Sequence, residues 1–146
     1  MLNSSSVHRS VSIVVPVYNA EDFIELCVRS LLNQVYAIEE IIIVDNGSTD
    51  QTVDILSKYP VKMVSEEKKG VAHALNTGIK EAKGEIIAIT ESDCIADRFW
   101  VYNLVKHYIN NKIGGLGGEF YHINQQTFWD NTMIKCIKHR MVEKLR

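Results

Sequence analysis

The sequence predicts an α/β fold, a three-layer α/β/α sandwich around a mostly parallel sheet. Three observations lead there. Strand-patterned and helix-patterned segments alternate along the chain, which builds βαβ units. The first, second and fourth strand segments are continuous apolar runs, as strands covered on both faces require. The 146 residues are one ordinary domain, long enough to bury a core.

Taken in order, residues 1–10 begin with the polar MLNSSS and form a flexible N-terminus. The β-branched run VSIVV (11–15) is a first strand closed by Pro16. Residues 20–34 have helical spacing, with Phe23, Leu26, Cys27, Ser30 and Leu31 on one face and Asn19 as the N-cap. EEIIIVD (39–45) is the second strand. Ser48 and Gln51 after it have capping-box spacing for a helix reaching about Lys58. VKMVS (61–65) is a weaker third strand, and residues 70–84 are a helix with small residues on its packing face, stopped by Gly84. EIIAIT (85–90) is the fourth strand. A helix over 97–111 capped by Asp97 follows, then GGLGGEF (114–120) as a short strand or bulge.

Composition narrows the function classes. An apolar fraction of 46% and a charged fraction of 23% are those of a soluble globular protein. A net charge of −2 lacks the basic excess of a nucleic-acid binder, so no nucleic-acid partner is expected. The three cysteines (Cys27, Cys94, Cys136) and five histidines have no disulfide-framework or zinc spacing. They read as reduced thiols and ordinary histidines of a cytoplasmic protein, with Cys27 packed in the core. No apolar stretch approaches the ~20 residues of a membrane span. HRSVSIVVPV is too short for a signal peptide and is broken by Pro16.

Parallel strands place their C-terminal ends on one edge of the sheet, where open α/β sheets bind ligands. Pro16-Val17-Tyr18-Asn19 follows the first strand, Asp45-Asn46-Gly47-Ser48 the second and Glu91-Ser92-Asp93 the fourth. Topology alone brings these polar clusters to one rim. Glu91 and Asp93, two apart, share one side of an extended segment. A divalent cation relieves the repulsion between two such carboxylates, and oxygen ligands suit Mg²⁺ or Mn²⁺. A helix-capping Asp beside a solvated Glu is the alternative. No G-x-x-x-x-G-K-[ST] or G-x-G-x-x-G occurs, which sets aside P-loop NTPases and dinucleotide-binding domains. A phospho-receiver would need an acidic pair after the first strand, where Pro16-Val17 stands.

Four collinear stretches, VSIVVPVYNAEDFIELCVRSLLNQ, IIIVDNGSTDQTVDIL, GVAHALNTGIKEAKGEIIAITESDC and GGLGGEF, resemble family 2 glycosyltransferases of the GT-A (nucleotide-diphospho-sugar transferase) fold. The resemblance covers Val11 to Phe120. It implies a nucleotide-sugar-binding domain over 11–120, a nucleotide-sugar donor, usually a UDP-sugar, and inverting transfer to a glycan, lipid-linked or other hydroxyl acceptor. Pro16, Tyr18 and Asn19 match the P-x-Y-N segment beside base and ribose, and Asp45 matches the acid that hydrogen-bonds the base. Glu91 and Asp93 match the D-x-D motif, whose last Asp contacts a Mn²⁺ or Mg²⁺ on the donor diphosphate, and Ser92 lies between them near the ribose. Three positions depart from the pattern. Glu91 replaces an Asp, Asn46 replaces a frequent second Asp, and Leu75 stands where relatives carry a donor-side Arg, with His73 or Lys69 available as nearby charge.

The family continues through an acceptor half holding the general base, often in an ED pair. Glu119 and Asp130 do not sit in such a pair, so the expectation is a donor-binding portion incomplete at its C-terminus. A degenerate, non-catalytic nucleotide-binding module is the alternative. The glycine pairs Gly114-Gly115 and Gly117-Gly118 read as a bulge or turn, or as an approach to the sugar. Residues 121–146 begin the acceptor side. The stretch 132–146, with Ile134, Ile137, Met141 and Leu145 at helical spacing, reads as a basic amphipathic helix. It would lie on the inner face of a membrane or pack on the rest of a longer chain.

Overall fold

The computed structural model describes residues 9–108, 114–117 and 140–141. The elements are β1 (Val11–Val17), α1 (Ile24–Leu32), β2 (Glu40–Asp45), α2 (Thr52–Leu56), β3 (Lys62–Ser65), α3 (Val71–Glu81), β4 (Ile86–Ile89), α4 (Trp100–His107), β5 (Leu116–Gly117) and β6 (Arg140–Met141). The chain divides into two compact units after Val101. In the first, four parallel strands lie in the order β3-β2-β1-β4. In the second, β5 pairs antiparallel with β6.

The order reverses at β1. The chain steps outward through β2 and β3, then returns past β1 to β4. Right-handed crossovers therefore place α1 and α2 on one face and α3 on the other. Contact between α1 and α2, and of α3 with β1 and β2, agrees with this. Val14, Ile42, Val44 and Ala74 form the core under α3. A Cβ at Gly78 would lie 2.4 Å from Val14 Cγ1, so the small residue lets α3 approach the sheet. By alternation, Ile13, Val15, Val17, Ile41 and Ile43 turn toward α1 and α2, and all are buried.

Several local expectations shift. β1 runs through Pro16 to Val17 rather than ending at Val15. Val14 accepts from Thr90 N on the β4 side, and Pro16 points the same way, beyond the last residue of β4. A residue without an N–H costs no ladder bond there. The buried stripe of α1 is Ile24, Cys27, Val28 and Leu31, while Leu26 is 56% exposed and Phe23 is also exposed. Asn19 does not cap α1, because its side chain accepts from Thr49 N instead. The Ser48–Gln51 capping box is replaced by Asp50, which accepts from Thr52 N, and by Glu21, which accepts from Gln51 N. α3 ends at Glu81, before Gly84. Gly84 is needed for packing, since a Cβ there would come within 2.4 Å of Ser12 N. Asp97 Oδ1 accepts from Phe99 N, just ahead of α4, while Val101 N in the first turn donates to Gln34 Oε1.

β4 is not covered on both faces. Ile87 and Ile89 are 36% and 43% exposed on the α3 side, because α3 lies over β1 and β2. Arg140–Met141, expected within a basic amphipathic helix, is a strand. Backbone groups in its ladder with β5 cannot also make helical bonds. The rest of that helix, Glu119, Asp130, Gly118 and the helix residues 109–111 lie outside the described residues. Among the described residues, no helix is long and apolar enough to cross a membrane.

Candidate functional site

The reversal between β1 and β4 opens a crevice at the carboxyl ends of the strands, the place where such sheets bind ligands. Its flank on the β2 side is built by hydrogen bonds between loops. Asn19 adopts a left-handed φ of 46°, which asparagine tolerates better than most residues. Its N–H donates to Ser48 Oγ at 3.0 Å and its Oδ1 accepts from Thr49 N at 2.8 Å. Ala20 N donates to Thr52 Oγ1 at 2.8 Å. Asp45, half-buried at the end of β2, accepts from Ser48 N at 3.1 Å. Asn19 and Ala20 are thus joined to the segment that follows Asp45.

Asn46 joins a third loop to this flank. It is 6% exposed, and its Nδ2 donates to Glu66 O and Lys68 O at 2.8 and 2.7 Å. Its Oδ1 accepts from Gly70 N at 2.7 Å. An aspartate cannot donate to two carbonyls, which gives the departure at this position a physical reason. Lys69, between the clamped residues, donates from Nζ to Asn46 O at 2.9 Å and Gly47 O at 3.3 Å. The same ammonium stands 4.9 Å from the centre of the Tyr18 ring. Gly47, at φ 82°, leaves room for it, since a Cβ would lie 2.5 Å from Lys69 Nζ. Leu75 packs against the core cluster and brings no charge to the rim.

The flank on the β4 side is held through backbone atoms. Cys27 Sγ donates to Glu91 O at 3.5 Å, Ser30 Oγ accepts from Ala96 N at 2.9 Å, and Gln34 bonds Asp97 O and Val101 N. Burial pushes the Cys27 thiol up to about 12, so it acts as packing and as a donor rather than a nucleophile. Glu91 and Asp93 stay exposed and Ser92 is half-buried. Ligand atoms of Glu91, Asp93 and Cys94 lie within 4.8 Å of one another. Burial, then the Asp93 charge, raises the Cys94 thiol above its ordinary value. The cluster therefore offers hard carboxylate oxygens before it offers a thiolate, a donor set that fits Mn²⁺ or Mg²⁺.

The described structure places every expected site residue at this edge, in two groups. Tyr18, Asn19 and Asp45 belong to the interlocked flank, Glu91, Ser92 and Asp93 to the β4 flank, and Pro16 sits half-buried in β1 between them. Sequence reasoning offered Lys69, in the loop after β3, only as a nearby charge, and missed how that loop is tied to the rim. Topology assigns it to the same edge, yet EEKKG reads as an ordinary solvated charge run, and the amide clamp of Asn46 leaves no pattern.

A profile of glycosyl transferase family 2 matches residues 12–145. The chain belongs to that family. Glycosyltransferase GlyG of Streptococcus pneumoniae is 34% identical over 121 residues, covering 79% of this chain and 40% of GlyG. The uncharacterized glycosyltransferase EpsJ of Bacillus subtilis is 34% identical over 116 residues, covering 76% of this chain and 34% of EpsJ. The chain thus spans between a third and two fifths of the length of these relatives. Among solved structures, a mannosyltransferase from Pyrobaculum calidifontis in complex with GDP-Man and Mn²⁺ superposes with a TM-score of 0.69 and 31% identity, over 76% of this chain and 35% of that one. Staphylococcus aureus TarS with UDP-GlcNAc gives 0.63 and 29%, over 68% of this chain and 31% of that one. The four-stranded parallel sheet with its helices is the GT-A fold of these glycosyltransferase neighbours.

Proposed function

We propose that this chain is the donor-binding portion of a glycosyltransferase that moves a sugar from a nucleoside diphosphate to a hydroxyl acceptor with inversion. The observation that carries the reading is the pairing of two unlike flanks across β1 in a family 2 chain. The ends of β2 and β4 lie two strand spacings apart, about 10 Å, a gap on the scale of a nucleotide. One flank offers an aromatic ring and a carboxylate fixed by its own loop, the other exposed carboxylates.

In this reading Asp45 accepts a hydrogen bond from the nucleobase, while Pro16, Tyr18 and Asn19 line the base and ribose. Ser92 lies toward the ribose. Asp93, with Glu91, would hold Mn²⁺ or Mg²⁺ beside the donor diphosphate. Such an ion supplies Lewis-acid stabilisation of the charge that develops on the leaving diphosphate. The acceptor oxygen forms its bond to the anomeric carbon as the bond to the diphosphate breaks, and the hydroxyl proton passes to a base. A single displacement of this kind inverts the anomeric centre. Neighbours solved with UDP-GlcNAc and with GDP-Man and Mn²⁺ support a nucleotide-sugar donor without selecting the base. A lipid-linked acceptor would bring the chain to a membrane surface, which co-sedimentation with anionic vesicles tests.

Calorimetry with UDP in the presence and absence of Mn²⁺ tests the core of the proposal. Metal-enhanced binding by the full chain is expected, lost in Asp93→Ala. UDP binding indifferent to both would sink the site assignment. Donor hydrolysis by this chain, set beside a longer one, separates a transferase from a nucleotide-binding module without turnover.

A further inference from the structure

We propose that Lys69 is a positioning residue of the nucleobase subsite, holding the Tyr18 ring as the wall against which the donor base stacks. The proposal rests on the donor-site reading above and adds to it a residue and a role. Asn46 grips the backbone on both sides of Lys69, through Lys68 O and Gly70 N. The stem of Lys69 therefore leaves from a fixed point. Two of the three N–H bonds of an ammonium are taken by Asn46 O and Gly47 O, and the charge lies over the Tyr18 ring at 4.9 Å, within cation–π range. No more than one N–H remains. The group is thus engaged as a clamp joining the loops after β1, β2 and β3, and is poorly placed to reach a phosphate.

Tyr18 is 55% exposed. A ring this exposed still offers surface to a planar partner beside the ammonium, and bases stack on aromatic rings irrespective of sequence. The ring follows β1 directly and Asp45 ends the neighbouring β2. A base stacked on Tyr18 therefore lies beside the carboxylate that the reading pairs with it.

The experiment is a double-mutant cycle on the full chain, with UDP and UMP as probes and Mn²⁺ present. Lys69→Met should weaken both nucleotides by the same factor, about threefold to fivefold. Lys69→Arg should restore binding, because a guanidinium also stacks on an aromatic face. In a Tyr18→Leu background, Lys69→Met should cost nothing further. Thermal melting of each variant checks that the fold persists, and the arginine rescue separates loss of the clamp from loss of fold. Additive losses, a loss for UDP that exceeds the loss for UMP, or unchanged binding in Lys69→Met would each overturn the proposal. Absence of UDP binding by the wild-type chain would overturn the donor-site reading itself, a distinct outcome from a silent Lys69.

Discussion

The two flanks of the crevice are built on opposite plans. On the β2 side, the side chains that line the edge also hold the loops: Asn19 Oδ1 accepts from Thr49, Asp45 ties down its own loop at Ser48, and Asn46 bonds three atoms of the loop after β3. On the β4 side, α1 holds the loop through its backbone, and the carboxylates of Glu91 and Asp93 remain exposed. The first plan makes a rigid, shaped wall whose order is established at folding, so a ligand loses less entropy in meeting it. The second leaves charge available on an anchored strand end, as ion ligands need. Stability and binding should therefore separate between the flanks.

The sharpest way to break this comparison is Asn46→Asp. A carboxylate facing the carbonyls of Glu66 and Lys68 should cost about 3 kcal/mol at neutral pH, through buried repulsion and lost donors. Urea denaturation should show the deficit shrinking in acid, because a protonated carboxyl regains one donor. A deficit that ignores pH would mean the amide clamp is not the cause. Asp93→Ala should show the reverse profile. Its stability should stay within about 0.5 kcal/mol of the wild type, while UDP affinity with Mn²⁺ falls by about tenfold or more, measured by calorimetry. Glu91→Gln should weaken the same binding by only about twofold to threefold, since a neutral oxygen donor is retained. A larger loss at Glu91 than at Asp93 would exchange their roles.

The smallest expected effect returns to the wall. Thr77 Oγ1 donates to the Glu66 carboxylate, and that hydrogen bond, then the Lys68 N–H, holds Glu66 below its ordinary value. A depressed carboxyl stabilises the fold above its unfolded value and loses that contribution as pH falls through its folded one. Thr77→Val should accordingly be less stable than the wild type at neutral pH, with the difference vanishing in acid below the usual carboxylate range. Parallel denaturation curves across that range check the sign.

Much of this molecule is legible in one dimension. The β-branched runs, the helical spacing and the alternation of the two require parallel strands under helices, and parallel strands send their ends to one edge whatever the loops contain. That is why Tyr18, Asn19, Asp45 and the Glu91–Asp93 pair could be named together. Three-dimensional packing decided what pattern does not encode. Pro16 continues a strand because β4 has already ended beside it. Asn19 bonds another loop rather than capping its own helix, and Gly84 serves the approach to Ser12 rather than a helix stop. Asn46 and Lys69 become clamps only when the loop after β3 folds back onto β2, where the sequence offered Lys69 merely as a nearby charge. Periodicity is a local property of the backbone and survives in the sequence. A hydrogen bond between loops 20 or more residues apart depends on where the sheet puts their ends, and only the tertiary structure settles that.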